Sequence, residues 1–126
     1  MLPWRQRRGQ RAERLAAAFL SAHGYVIQQA NVRFPVGEID LIAHERHVLC
    51  FVEVRSTSSD QWGGPFASVT DRKRRRIIRA ASWYLTRFRE LPAEIRFDVV
   101  GITWPPDGPP SIELIRAAFD AGHTAW

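Results

Sequence analysis

The sequence has few of the features that mark secreted or membrane-bound proteins. Cys50 is the only cysteine among 126 residues, so no internal disulfide can form, and its place in an apolar run predicts a packing role. No apolar run approaches the length of a membrane span. No apolar segment follows the basic amino terminus, MLPWRQRRGQ, as it would in a signal peptide. We therefore expect a cytoplasmic protein without a membrane partner.

Histidine and lysine are also scarce. The four histidines show no metal-ligand spacing, and we interpret them as cap, turn and tail residues. Lys73 is the only lysine among the 18 basic residues, so the others are arginines. The net charge of +5 indicates a polyanionic partner, most often nucleic acid. Arginine favours forked contacts with phosphate, although a GC-rich genome would produce the same enrichment.

The length predicts one domain, because 126 residues can bury one real core but are too few for two. Within residues 1–126, the basic segment 1–8 is expected to be a disordered start. Residues 56–69 are rich in serine and glycine without periodicity, which is typical of a mobile loop. Trp62 and Phe66 could anchor this loop on the core or stack on a base, and we favour the anchor. Residues 117–126 are interpreted as a tail.

Residues 37–56 read GEIDLIAHERHVLCFVEVRS and predict a β-hairpin with a polar turn at 44–47. Alternation places Ile39, Leu41 and Ala43 on one face and Asp40 on the other. Two turn registers are open, and either brings Asp40 and Glu53 to roughly 5–8 Å from each other. Two carboxylates on a half-apolar face need a neighbouring cation. A divalent metal such as magnesium would serve, and so would an ion pair with Arg55.

Two amphipathic helices are predicted, the first at 9–23 and the second from Thr70 to about Glu90. Glu13 lies beside the apolar stripe of the first helix, where a solvated acid is the simpler interpretation. The second helix begins with a run of basic residues: Arg72, Lys73, Arg74, Arg75, Arg76 and then Arg79. Basic residues at a helix amino terminus oppose the macrodipole, so we expect an anion such as phosphate to dock there. A solvated charge run is the alternative.

Strands at 25–33, 95–103 and 111–115 complete the order α-β-β-β-α-β-β. An antiparallel hairpin followed by a helical crossover predicts an α/β fold with a mixed central sheet and helices on its faces. Asp98 lies on the fourth strand. We expect it to form an ion pair with Arg96 or a neighbouring strand, rather than to act as a third acid of the hairpin site.

This order, with G-E-I-D-L-I and F-V-E-V-R on adjacent strands, resembles the PD-(D/E)XK nuclease fold of restriction endonucleases and archaeal Holliday-junction resolvases. More closely, the chain resembles the YraN family of small bacterial proteins from Gly9 to about Phe119. The shared positions are Gly9, Glu13, Asn31, Arg33, residues 37–41, residues 51–54, Lys73 and residues 96–98.

The resemblance implies a magnesium-dependent endonuclease, with manganese as a possible substitute. DNA is favoured over RNA, with branched or damaged structures as candidate substrates. Asp40 and Glu53, with the Val54 carbonyl, would hold the metal, and Glu13 would support it. Arg55 stands where the nuclease signature has a lysine. It could stabilise charge developing on the phosphorane, but a guanidinium cannot act as a general base.

Two further roles are hypotheses. Lys73, as the only lysine, could supply the missing ammonium from the second helix, and Arg33 would join the helical arginines in contacting nucleic acid. Cutting two strands would favour a homodimer. A non-catalytic nucleic-acid-binding module with a degenerate site is the main alternative, and a scaffold that binds another protein through the Trp62 loop is the third.

Overall fold

The fold consists of one mixed sheet with an α-helix on each face. The computed structural model describes residues 4–58 and 63–122, with side chains from Gly9 onward. Its elements in chain order are α1 (Trp4–Ala22), β1 (Tyr25–Phe34), β2 (Gly37–Glu45), β3 (Val48–Thr57), a 3-10 helix (Pro65–Ser68), α2 (Asp71–Leu85), β4 (Glu94–Thr103) and β5 (Ser111–Phe119). The mixed α/β class is confirmed. The element order departs from the prediction by the 3-10 helix, which the sequence did not indicate.

The sheet has five strands in the order β1-β2-β3-β4-β5. The β3–β4 pair is parallel and the other three pairs are antiparallel. Short connections join the strands that pair antiparallel. The connection from β3 to β4 is longer and contains α2, and a crossover of this kind allows two strands to pair in parallel. The mixed character of the sheet therefore follows from the connections, as predicted.

Several element boundaries differ from the prediction. α1 begins at Trp4, so residues 4–8 are helical and not a disordered start, because one glycine at position 9 weakens a helix without ending it. Residues 1–3 lie outside the described part of the chain. α2 ends at Leu85, where the Thr86 hydroxyl donates to the Trp83 carbonyl. β5 runs on to Phe119, which removes residues 117–119 from the expected tail, and residues 123–126 are not described.

The predicted mobile loop is partly regular structure. Residues 56–57 extend β3, and residues 65–68 form the 3-10 helix. This helix packs on Gly101 of β4 so closely that a Cβ there would lie 2.8 Å from the Phe66 ring and 2.8 Å from Pro65. Phe66 therefore anchors the segment on the core. Trp62 falls in residues 59–62, which the structure does not describe.

Two hydrophobic clusters fill the two faces of the sheet. The α1 side contains Ala12, Ala16 and Leu20 with Leu41, Ala43, Cys50, Val52, Val100 and Ile102. The α2 side contains Ile77, Ala81, Tyr84 and Leu85 with Ile39, Ile42, Leu49, Phe51 and Phe97. Ile39 was predicted on the same face as Leu41 and Ala43, and this is wrong. The alternation of side chains between the two faces of the sheet is interrupted at Asp40, so that Ile39 lies on the α2 side and Leu41 on the α1 side.

An ion-pair network centred on the buried Asp98 closes the α1 side at the far end of the sheet. The Asp98 side chain is fully buried, accepts from the Tyr25 hydroxyl at 2.8 Å and pairs with Arg96, whose Nε lies 2.8 Å from Oδ1. The predicted ion pair between Arg96 and Asp98 is thus confirmed. Glu45 joins the network, because its two oxygens lie 2.6 Å from Arg96 and 2.6 Å from Arg116.

Glu45 should make the protein sensitive to strong acid. Hydrogen bonds from Arg116 and Arg96 lower the pKa of Glu45 from 4.5 to about 2, against a smaller opposing effect of burial. A carboxylate with a lowered folded-state pKa stabilises the fold above pH 4.5, and that stabilisation is lost as the pH falls towards 2. We expect about 1–2 kcal/mol, allowing for solvent screening.

Urea unfolding at pH 7, 4 and 3 measures this loss. Glu45→Gln should be less stable than the wild type at pH 7 and should lose less stability on acidification. Glu90→Gln, an exposed change of the same charge, serves as the control. Parallel pH profiles for Glu45→Gln and the wild type would contradict the assignment.

Candidate functional site

Asp40 lies where β2 separates from β3. The β2–β3 ladder runs from the Glu45–Val48 pair to the Leu41–Val52 pair, which corresponds to the register with a turn at residues 46–47. Continuing this register would place Asp40 opposite Glu53. Instead, the Asp40 Oδ2 accepts a hydrogen bond of 2.8 Å from the Val54 backbone N–H. The carboxylate thus occupies the gap at which the strands diverge.

The residue opposite Asp40 on β1 also has an irregular backbone conformation. Pairs Ala30–Leu41 and Val32–Ile39 flank this position, so Asn31 lies across from Asp40. Asn31 has a φ of 54°, in the left-handed region that asparagine tolerates better than most residues. This irregularity accounts for the broken alternation, with Ile39 and Leu41 on different faces. Asn31 had no predicted role, although it is one of the positions shared with the family that the sequence resembles and is an asparagine inside an otherwise extended segment.

Asp40 and Glu53 form a buried acidic pair. Their relative exposures are 9% and 3%. Burial, followed by the charge of Glu53, raises the pKa of Asp40 from 3.8 to about 8, whereas the hydrogen bond from the Val54 N–H lowers it. A hydrogen bond between the two carboxyl groups adds to the upward shift. Because its pKa is about 8, the Asp40 carboxyl group is mostly protonated at neutral pH.

Two cations approach Glu53 from different elements. The Lys73 Nζ, from the first turn of α2, lies 3.2 Å from Oε1, and an Arg55 terminal nitrogen lies 3.6 Å from the same oxygen. The Arg55 Nε donates to the Ser68 hydroxyl at 2.8 Å, and this hydroxyl donates to the Pro65 carbonyl at 2.6 Å. The 3-10 helix thus holds Arg55, and Lys73 makes the closer contact with the acid.

Glu13 faces the acidic pair from α1. Burial raises the pKa of Glu13, a hydrogen bond with the Asn31 side chain opposes the shift, and the charges of Asp40 and Glu38 add to it. Interaction with Asp40 across the space between α1 and β2 makes Glu13 more than a solvated helical acid. Glu13 therefore lies close enough to Asp40 for the two charges to interact.

The basic residues at the start of α2 divide into two groups. Lys73 and Arg74 turn inward: Lys73 pairs with Glu53, and the Arg74 Nε donates to the Val69 carbonyl at 3.0 Å. The exposed group consists of Arg72, Arg75, Arg76 and Arg79. Arg33 is also open to solvent, with a side chain 86% exposed and a 3.5 Å contact to Glu38. Sequence reasoning treated the run as one surface, but its helical periodicity separates the two groups.

The donor set suits a hard divalent cation. Within residues 4–58 and 63–122, no three His, Cys, Asp or Glu side chains converge tightly enough to hold a metal by themselves. Asp40 and Glu53 would contribute two carboxylates. The Val54 carbonyl points into the same gap as its N–H, because both groups of a strand residue point to the same side. Two carboxylates and one carbonyl fit magnesium, which keeps several waters, better than a closed zinc site.

The fold and site define a class: a mixed α/β protein with a buried acidic pair at a strand divergence, contacted by one lysine and flanked by an arginine-rich helix. The model of the Uncharacterised protein family UPF0102 matches residues 12–102, and the chain belongs to this family. UPF0102 is the YraN family, so the resemblance noted from the sequence is confirmed.

Curated relatives match along nearly the whole chain. A UPF0102 protein of Desulfosudis oleivorans is 45% identical over 99% of both chains. A UPF0102 protein of Symbiobacterium thermophilum is 47% identical over 92% of this chain and 98% of its own. A third, from Legionella pneumophila, is 42% identical over 93% and 98% respectively. Separately, no helix in the described part of the chain is long and apolar enough to cross a membrane.

Proposed function

We propose that this protein is a magnesium-dependent endonuclease-like hydrolase of DNA, with a site of the PD-(D/E)XK type. One observation carries the proposal: Asp40, Glu53 and Lys73 meet at the strand divergence, with the lysine 3.2 Å from Glu53 and Asp40 bonded to the Val54 N–H. Two acids and a lysine beside a basic surface are the parts that metal-assisted phosphodiester hydrolysis requires.

A bound magnesium ion would polarise the phosphodiester and lower the pKa of an attacking water. Asp40, Glu53 and the Val54 carbonyl would hold it. The raised pKa of Asp40 supports this role, because a divalent cation would compensate the charge repulsion between the two carboxyl groups. Glu13, on the α1 side, would orient water through hydrogen bonds to its carboxylate.

Lys73 and Arg55 would together perform the roles of the lysine in the nuclease signature. An ammonium group is a compact charge with three rotatable donors, whereas a guanidinium is a planar fork. Lys73 would therefore orient the attacking water. Arg55, fixed by Ser68, would stabilise negative charge on the phosphorane. The lysine thus reaches Glu53 from α2 instead of from the strand that carries the acid.

A cleavage screen tests the proposal. Linear, nicked, flapped and four-way DNA and a matched RNA are incubated with the protein and with magnesium, manganese or EDTA. We expect metal-dependent cleavage, with DNA preferred and branched or interrupted duplexes cut faster than intact linear duplex. No product with any substrate, together with no manganese uptake by calorimetry, would overturn the proposal.

A non-catalytic nucleic-acid-binding module is the second candidate, and one observation favours it. Lys73 and Arg55 both lie within 4 Å of Glu53, so the acid already has cationic partners without a metal. Such a module would bind DNA equally well with and without magnesium. Asp40→Asn would then leave every measurable function unchanged, which distinguishes it from an enzyme.

Nucleic-acid binding should depend on the exposed arginines of α2. Replacing Arg72 and Arg76 with alanine removes two cations one helical turn apart. If each contacts a phosphate, the slope of log affinity against log salt should become shallower by about 2, since each lost contact removes about 0.9. Fluorescence anisotropy with a labelled DNA duplex from 50 to 300 mM salt measures it.

The matched control is the double variant Arg87→Ala with Arg89→Ala, which removes the same charge beyond the carboxyl end of α2. It should leave the slope nearly unchanged. Equal slopes for the two double variants would mean that net charge, and not this surface, determines binding.

A further inference from the structure

A cavity of about 400 Å³ lies between α1 and β1 and shares residues with the acidic site. Two features of β1 shape it: the register shifts between Ile27 and Gln29, and Asn31 is left-handed. Both irregularities lie in the part of β1 that lines the cavity. The volume falls within the roughly 300–1,000 Å³ typical of small-molecule pockets.

The lining combines apolar walls with amide groups. Ala17 of α1 and Ile27 and Leu41 of the sheet form apolar surface, and Gln10 and Asn31 contribute side-chain amides. Each amide offers both a hydrogen-bond donor and an acceptor. Apolar walls around such groups suit a flat heteroaromatic ring with donors and acceptors on its edge. This is the chemistry of a nucleobase.

The residues at the mouth of the cavity could bind a phosphate attached to that ring. Arg14 lies on the lining and is exposed to solvent, so a phosphate at the mouth has a cationic partner. Glu13 belongs both to the lining and to the acidic cluster, through its interaction with Asp40. Asn31 likewise lines the cavity while lying opposite Asp40 in the sheet. A base in the cavity would therefore belong to a nucleotide next to the reacting phosphate.

We propose that the cavity between α1 and β1 binds one unpaired nucleobase adjacent to the phosphodiester held at Asp40 and Glu53. This inference rests on the proposed nuclease function and specifies its substrate class. A base stacked and paired within a duplex cannot enter a lateral cavity without being extruded. The substrates that fit are strands with unpaired nucleotides, such as flaps, bulges, gaps and damaged sites.

Affinity for an unpaired base tests the proposal directly. Two duplexes are compared by fluorescence anisotropy in EDTA, where metal-dependent hydrolysis cannot start: one carries a single bulged adenine, and the other an abasic residue at the same position. We expect about tenfold tighter binding of the adenine duplex, because removing the apolar surface of one base from water stabilises the complex by roughly this factor. A bulged 2-aminopurine should change in fluorescence on binding as it leaves the stack.

Ala30→Leu should abolish this preference by filling the cavity, since Ala30 is an exposed strand residue on its lining. Gln28→Leu, on the same strand but off the lining, is the matched control and should retain it. Gln10→Ala provides a second variant that does not depend on the fit of a larger side chain, with Gln29→Ala as its control. Thermal unfolding checks that each variant is folded.

The outcomes separate this proposal from the proposed catalysis. Equal affinities for the adenine and abasic duplexes would overturn the base pocket and leave the cleavage screen to decide hydrolysis. A preference that survives both Ala30→Leu and Gln10→Ala would also overturn it, because the base would then bind elsewhere. A preference lost in both variants, without cleavage of any substrate, would support the pocket and refute the nuclease.

Discussion

Asp40→Asn should abolish metal-dependent cleavage and at the same time stabilise the protein without metal. Asparagine keeps an oxygen that can accept from the Val54 N–H, but it removes one of the two buried negative charges. Losing a carboxylate ligand should reduce the cleavage rate at least ~100-fold. DNA affinity should be unchanged in EDTA, because the exposed arginines are untouched.

The stabilisation should depend on pH. The folded-state pKa of Asp40, about 8, lies above its ordinary value of 3.8. Ionisation therefore opposes folding: the cost is absent below pH 3.8, grows as the pH rises and is complete above about 8. Asp40→Asn removes this cost, so its melting temperature should exceed that of the wild type at pH 9 by roughly 5 °C or more. Magnesium should narrow the difference by stabilising only the wild type.

Cleavage assays with saturating manganese and melting curves at pH 5 and pH 9 measure the two effects. Asp107→Asn removes the same charge from the exposed turn between β4 and β5 and should change neither. Full cleavage by Asp40→Asn would refute its role as a ligand. A lower melting temperature than the wild type at pH 9 would refute the unfavourable burial of its charge.

Lys73→Met should have the second largest effect. The substitution keeps most of the packing of the aliphatic side chain and removes the ammonium 3.2 Å from Glu53. Loss of the group that positions the attacking water should slow cleavage about 10²-fold or more. DNA affinity should fall little, because this side chain is only 37% exposed and its ammonium pairs with the buried Glu53.

Lys73→Arg distinguishes the two parts of the role. Arginine restores the positive charge beside Glu53 but replaces the compact ammonium with a planar guanidinium, so stability should recover while cleavage should not. Arg72→Met, one residue earlier and exposed, should show the opposite pattern, with weaker binding and an unchanged rate at saturating DNA. Cleavage by Lys73→Met at the wild-type rate would exclude Lys73 from the chemistry.

Local patterns predicted much of this molecule. The hairpin followed from a short polar turn that left two registers open, and the amphipathic period of α2 followed from its apolar stripe. Asp40 and Glu53 could be paired because side chains alternate in neighbouring strands and one of the two open registers sets them opposite each other. The family could also be recognised from the motifs on β2 and β3. All of these features depend on interactions between residues that are close in sequence or joined by one turn.

The environment of each acid could be determined only from the tertiary structure. Alternation at Ile39 failed because Asn31, on a different strand, adopts a left-handed conformation opposite Asp40. The Arg55 Nε donates its hydrogen bond to Ser68, which belongs to a 3-10 helix that no sequence periodicity indicated. Contacts of this kind depend on the packing of segments far apart in the chain, for which a local pattern carries no information.

The sequence by itself determined the chemistry available: two acids on adjacent strands, one lysine, and a run of arginines on a helix. The tertiary structure decided which of these groups meet. Lys73 contacts the buried Glu53, whereas Arg72 and Arg76 are exposed, because α2 presents only one face to the sheet. It also left a cavity beside Glu13, between α1 and the irregular edge strand β1. Burial and distance set the charge of a group, and both are properties of the folded chain.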